Sequence, residues 1–268
     1  MMLPFLWPIL GGLFGLVAGS FLATLVLRWP EGRPLSGRSA CDSCGATLAP
    51  RDLVPLLSWL VLRGRCRRCG ASIDTTHPLI ELACATAGVL ALVALPGPQG
   101  FAGALLGSLL VALIALDIRH FWLPDALTLP LLAFGLLLGP SPFPDRLLGA
   151  AIGSGALLAI ALAFRWLRGR EGMGMGDIKL MAALGAWLSP AHLPPLLLLA
   201  ALIGLGMAGV SRLRGRRLDS ATRIPFGACL AAAAFPLWLL IAATSPVWIQ
   251  GQALETNQQA PYAQHSSE

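Results

Sequence analysis

The sequence predicts an all-α polytopic membrane protein of about eight transmembrane helices, with one small extramembrane loop domain. Three observations lead there. The chain of 268 residues is 56% hydrophobic and only 12% charged, with a mean hydropathy of +0.73, whereas soluble domains carry roughly 25% charged residues. Its apolar residues fall into stretches of the length a bilayer requires, about 20 residues each and fewer where a segment is re-entrant or has snorkelling flanks. Its basic residues crowd into alternate connecting segments.

The stretches are 5–27, 79–95, 100–117, 126–140, 147–167, 178–190, 194–211 and 225–249. No Lys or Arg precedes the first, so it lacks the charged n-region of a secretory signal and reads as a retained span. The fourth and sixth are short and contain or adjoin Pro and Gly, which makes them the weakest spans. Residues 250–268 are polar, lack apolar periodicity and hold no Lys or Arg, and are expected to be a disordered tail. The division expected is an N-terminal region, residues 1–96, with spans one and two and the loop 28–78, then a six-span region, residues 97–249. No internal repeat is evident along the chain.

Charge fixes an expected orientation. Of the 19 basic residues, 18 lie after spans one, three, five and seven or in the turns bordering those loops, and only Arg146 lies on the other side. Such asymmetry makes those loops cytoplasmic and both termini external. The formal charge of +6 is thereby a topology signal, and no nucleic-acid partner is expected.

The loop 28–78 is too short for a conventional core and calls for a staple. Cys41-x-x-Cys44 and Cys66-x-x-Cys69 have the spacing of a zinc ribbon, in which each turn aims two thiolates at one ion. Two disulfides or a redox pair are the rivals, and a reducing cytoplasm disfavours stable disulfides. Four protein ligands leave no open position, so the zinc is expected to be structural, with Arg63, Arg65, Arg67 and Arg68 offsetting its tetrathiolate charge. Cys84 and Cys229, inside apolar spans, read as packing residues.

Two acids stand out. Asp117, in ALDIRHFWLPD, and Asp177, in GMGMGDIKL, sit at the edges of runs otherwise fit for lipid, where an ionisable group is costly and marks a functional site by default. Asp117 falls at a helix C-terminus, where the dipole opposes an anion, so some other interaction must compensate. Asp177 can cap a helix beginning at Ile178, but that leaves glycines 172, 174 and 176 unexplained; they permit a tight turn and close approach of another backbone. Both acids are expected at the cytoplasmic end of their spans, as a proton-sharing pair. Asp125 reads as an N-cap or a support for this pair, and Asp145 as an N-cap. Lys179 reads as a snorkelling residue or a charge acting on Asp177. Glu81 either caps or faces a polar cavity. His120 reads as a boundary residue, and His77, His192 and His265 share no ligand spacing. A proton-relaying transporter and a membrane thiol oxidoreductase are the alternatives from other classes; the first leaves the cysteines and glycines unexplained.

Together GSFLATLVLRWP, the paired CxxC, PLLSWLVLRGRCRRC, HPLIEL, the D-x7-D of DIRHFWLPD and GMGDIKL resemble the bacterial type IV prepilin peptidases, which are GxGD aspartyl proteases. The resemblance covers most of the chain. It implies catalytic roles for Asp117 and Asp177, a glycine turn at Gly174 and Gly176, and zinc ligands at Cys41, Cys44, Cys66 and Cys69. It also implies an inner-membrane enzyme that removes the basic leader of prepilins and pseudopilins on the cytoplasmic side, cutting after a Gly. Many members then methylate the new N-terminus with S-adenosylmethionine, using a region that includes the first loop. The chain departs from the family pattern at Ala23 and Leu53 (both usually Asn), at His77 (usually Tyr) and at Arg119, where many members have a second acid.

Overall fold

A computed structural model describes residues 5–35, 37–169, 172–215 and 224–244. Each predicted apolar stretch forms a helix: α1 (Leu6–Arg28), α3 (Thr76–Ala94), α4 (Pro98–His120), α5 (Asp125–Leu138), α6 (Phe143–Arg168), α7 (Met175–Leu188), α8 (Leu193–Leu213) and α9 (Phe226–Thr244). One short helix, α2 (Leu57–Val61), falls inside the first loop. Among the described residues, six helices (α1, α3, α4, α6, α8 and α9) are long and apolar enough to cross a membrane. α5 and α7 have 14 residues each, about 21 Å at 1.5 Å per residue, short of a hydrocarbon core of roughly 30 Å. The expected tail and the last few residues of the eighth stretch lie outside the described residues.

Without water to squeeze out between them, helices in lipid associate by close packing, and small residues permit it. Gly11, Gly15 and Gly19 form one face of α1 and let α3 approach backbone to backbone. A Cβ at Gly11 would stand 2.2 Å from the Gly88 carbonyl oxygen, and one at Gly88 2.0 Å from that of Gly11. α6 and α7 repeat the device, a Cβ at Gly149 standing 2.2 Å from the Gly185 oxygen. α4 is the most enclosed long helix, packed by α1, α3, α5 and α9. Its Gly103 makes room for the outer edge of the Trp238 ring from α9.

Helix ends correct several expectations. α6 begins at Phe143 after Pro142 as N-cap, so Asp145 lies in the first turn rather than at the cap. α5 begins at Asp125 itself, after Pro124, without a side-chain cap. Arg146, the exception in the charge count, donates to the carbonyls of Leu136 and Leu137 at 2.9 and 3.0 Å. It thus satisfies orphan acceptors at the end of α5, which gives this arginine a structural reason to stand apart from the others.

The first loop is tied to the end of α4. Trp29, just past α1, meets Trp122, just past α4, edge to face at 5.2 Å. Arg119, near the end of α4, reaches the Thr76 hydroxyl and the Asp74 carboxylate at 3.5 Å. Loop 28–75, the end of α4 and the residues after it therefore share one side of the bundle.

Candidate active site and metal centre

Asp117 is 5% exposed, one turn from the end of α4. Its Oδ2 accepts the backbone N–H of Ala228 at 2.6 Å, in the first turn of α9. The N-terminus of one helix thereby supplies a free donor and a positive dipole end to an anion at the C-terminus of another. That contact compensates the unfavourable position noted from the sequence.

α7 begins at Met175 with Gly174 as N-cap, so Asp177 is its third residue and not the cap of a helix starting at Ile178. The Asp177 carboxylate lies back toward Gly174, a Cβ built there standing 3.7 Å from its Oδ2. The Gly227 amide faces it as well. A Cβ built on Gly227 would stand 2.9 Å from Asp177 Oδ1 and 3.1 Å from Asp117 Oδ2. Two carboxylate oxygens within about 3 Å of one point are at most 6.0 Å apart. The two acids, from α4 and α7, thus face each other across the start of α9.

The glycines act differently from expectation. Gly174 has extended φ/ψ of −76° and 148°, Gly176 is helical, and neither has positive φ. A Cβ on Gly176 would lie 2.9 Å from Leu123 Cβ, so the close neighbour here is the chain's own segment after α4. Gly174 is exposed, with little but Asp177 beside it.

Lys179 neither reaches for lipid nor pairs with Asp177. Its Nζ contacts both oxygens of Asp125 at 2.7 Å, joining the start of α5 to the first turn of α7. Asp125 is accordingly an ion-pair partner, two residues from Leu123. Gly227 and Ala228 are site residues that the sequence reading missed. The available signal was the proline and glycine of IPFGACL at the head of the last span, where a helix N-terminus can receive an acid.

The four loop cysteines are brought together, with Sγ atoms all within 4.8 Å of one another. Cys41 and Cys69 Sγ stand 3.8 Å apart. Four thiolates at about 2.3 Å from one zinc would be roughly 3.8 Å apart, so the set fits a tetrahedral ion, and no disulfide links these cysteines. The two halves are built alike. Cys41 N–H donates to Ala46 O at 2.9 Å and Gly45 N–H to Cys41 O at 2.9 Å. Cys66 N–H donates to Ala71 O at 2.8 Å and Gly70 N–H to Cys66 O at 2.9 Å. Gly45 and Gly70 take positive φ of 67° and 72°, which glycine adopts freely. CDSCGAT and CRRCGAS are thus a short internal repeat, contrary to the expectation of none. The amides of Cys69 and Arg68 face Cys66 and draw its thiol down to about 6, while Cys69, despite the Ala71 amide, is pushed by the neighbouring thiols up to about 11, so the clustered sulfurs share their protons when no metal is bound. Arg67 is engaged elsewhere, on Asp52 at 2.8 Å.

Between the paired turns and the ends of α1 and α3 lies a cavity of about 530 Å³, lined among others by Ser20, Arg28, Trp59, Asp74, His77 and Glu81. Glu81, 3% exposed, accepts the Leu56 amide at 2.8 Å and pairs with His77 at 3.3 Å. The residue left undecided from sequence therefore braces the loop from the cavity floor. The buried indole Nε1–H of Trp59 has no partner. Cys84 and Cys229 are buried among helices.

Comparison with known proteins gives the family. Residues 13–95 match the Bacterial Peptidase A24 N-terminal domain and residues 104–209 the Type IV leader peptidase family. A prepilin leader peptidase/N-methyltransferase of Aeromonas salmonicida is 40% identical over 262 residues, spanning 86% of this chain and 90% of its relative. A protein of the same description from Burkholderia pseudomallei is 40% identical, over 81% and 80%. One from Klebsiella pneumoniae is 43% identical over 74% and 92%. No solved structure matches. With relatives this similar along nearly their whole length, and both family patterns in chain order, the chain belongs to the type IV leader peptidase family.

Proposed function

We propose that this protein is an aspartyl endopeptidase that removes the basic leader of type IV prepilins and pseudopilins at the cytoplasmic face of the inner membrane, with Asp117 and Asp177 as its catalytic pair. The observation that carries this reading is the meeting of the two carboxylates at the head of α9. Two acids this close cannot both ionise easily, so they titrate as a unit. The ionised carboxylate takes a proton from water as the water oxygen bonds to the scissile carbonyl carbon. The protonated partner polarises that carbonyl and then gives its proton to the departing amine as the C–N bond breaks. Gly174, Gly176, Asp125 and Lys179 shape and brace the pair. The substrate's apolar helix docks among the lipid-facing helices, and its leader stays on the side of the basic loops.

The second half of the reaction is methylation of the newly freed N-terminus, as the names of the relatives record for them. Residues 1–96 support it. The cavity beside the cysteines lies within the roughly 300–1,000 Å³ range of small-molecule sites, and its lining carries the carboxylates of Asp74 and Glu81, which suit a cationic cofactor. S-adenosylmethionine would be held here by Trp59, Glu81 and Asp74 and would supply an electrophilic methyl group. Zinc, held by Cys41, Cys44, Cys66 and Cys69, is structural and shapes the cavity roof. Ala23 is buried and Leu53 lines this cavity, so the departures at these positions bear on methyl transfer rather than proteolysis.

Mass spectrometry of a prepilin co-expressed with this protein tests both halves. Loss of the leader mass reports cleavage, and a gain of one methyl group reports transfer. A pilin left at full length would remove the peptidase assignment, and a cleaved but unmethylated one the cofactor site.

A further inference from the structure

The start of α9 brings more to the site than a wall. Gly227 and Ala228 are its second and third residues, and the first regular helix bond here is Cys229 N–H to Pro225 O at 3.2 Å. Ahead of it, the Ala228 amide meets no helix carbonyl among the described residues and turns to an acid instead. Ala228 donates to Asp117 at 2.6 Å, and Gly227 faces Asp177. The point a Cβ would take on Gly227 is 2.9 and 3.1 Å from one oxygen of each acid, closer than a side-chain carbon tolerates, so the bare Cα is what lets both carboxylates reach this helix end. The tip of Leu123 stands 2.5 Å from that same point and closes it from the α4 side.

Resting on the peptidase reading, we propose that Gly227 and Ala228 are positioning residues of the site: the bare Cα of Gly227 lets Asp117 and Asp177 converge on the head of α9, and the Ala228 amide holds Asp117 in that arrangement. A methyl group at 227 would push the two carboxylates apart, because the backbone behind it, part of a buried helix, cannot yield as a flexible side chain would. Leu123, carried on the segment after α4, packs against the same point from the other side.

The test measures kcat and KM of the detergent-purified full-length protein on a prepilin. Gly227→Ala is expected to lower kcat by ~100-fold or more, the scale of misplacing reacting groups by about 1 Å, with KM within about threefold because helix docking is untouched. Ala228→Gly keeps the N–H and is expected to retain activity within about threefold. Ala228→Pro deletes that N–H at a first-turn position that tolerates proline and is expected to lose ~10–100-fold, the scale of a hydrogen bond to a charged group. The Ala228 pair is decisive whether or not Gly227→Ala folds. Wild-type kcat in Gly227→Ala, or equal activity of Ala228→Gly and Ala228→Pro, whether both high or both absent, would overturn the proposal. Failure of the peptidase reading itself is a separate result, seen as a wild-type protein that cuts nothing.

Discussion

Lys179 and Asp125 stand 54 residues apart in the chain yet meet at 2.7 Å through both carboxylate oxygens. The pair joins the first residue of α5 to the turn of α7 that carries Asp177, and the segment 121–124 is held between them. Both side chains are partly exposed, so the ion pair contributes only about 0.2–1 kcal/mol. Lys179→Met or Asp125→Asn should therefore slow cleavage by no more than ~5-fold. The charge-swapped double variant should recover most of that loss. Equal deficits in the single and double variants would show that the residues act separately.

Asp117→Asn and Asp177→Asn should each abolish leader removal while leaving the protein inserted and monodisperse. An amide can neither take the proton of water nor supply one to a leaving amine, and general acid–base catalysis contributes ~10²–10⁴-fold. Because the acids act as a unit, the double variant should be no worse than either single one. An immunoblot for processed pilin, with normal membrane yield, checks this. A variant that processes at the wild-type rate would exclude its residue from the pair.

Cys66→Ser and Cys69→Ser should each eliminate bound zinc, measured by elemental analysis of the purified protein. A three-thiolate set loses both charge and geometry. Loss of the metal should expose the loop to limited proteolysis and stop methylation. Cleavage should survive to a reduced extent, since the acids are held by α4, α7 and α9. Wild-type protein purified with oxidised thiols and no zinc would contradict the metal assignment.

Gly88→Leu should uncouple α1 from α3, because even the first carbon of a side chain would lie 2.0 Å from the Gly11 carbonyl oxygen. Backbone cannot retreat as a side-chain tip can, and overpacking of this kind costs about 1–3 kcal/mol or more. Thermal unfolding in detergent should fall by several degrees, with Gly155→Leu as the control, since a Cβ there meets open space. Equal melting of the two variants would refute the contact.

Arg119→Ala should loosen the start of α3. The Thr76 amide, assisted by Arg119, holds the Asp74 carboxyl below its ordinary value. A carboxylate with a depressed folded-state pKa contributes stability that is present above its unfolded value, near 3.9, and is lost as pH falls through the folded one. Hydrogen exchange at residues 76–79 should therefore be better protected at pH 7 than at pH 3, and Arg119→Ala should shrink that difference. These groups are about 40–45% exposed, so the effect should be on the order of a few tenths of a kcal/mol. Identical protection at both pH values in the parent protein would refute it.

Positions of apolar runs were legible because lipid requires uninterrupted helices, and the chain has almost no other way to satisfy its backbone there. The cysteines were legible because four soft ligands at fixed spacing have few other uses. What could not be read was contact between distant helix ends. Nothing local to Asp117 announces that Ala228, 111 residues onward, offers its amide. Lys179 likewise gives no sign that its partner is Asp125, because a cation at a membrane boundary has many ways to find an anion or water. The duplicated cysteine turn was overlooked for another reason: only two copies occur, each matching over just seven residues, too little self-similarity to stand out as a repeat array. Glu81 was ambiguous because its partners, Leu56 and His77, lie partly across the loop, and one of them is a backbone amide with no side-chain signature.

The edge-to-face contact of Trp29 with Trp122 bears on how consecutive reactions are scheduled. It pins the exit of the first helix to the segment next to the two acids, so the cavity beside the cysteines and the acid pair lie toward one side of the bundle. On the proposed reading, a trimmed pilin need not leave the bilayer or meet the enzyme a second time; lateral drift within one encounter presents its fresh amine to the methyl donor. Unmethylated product should then be scarce even early in a time course, and separating the two aromatic residues should let it accumulate.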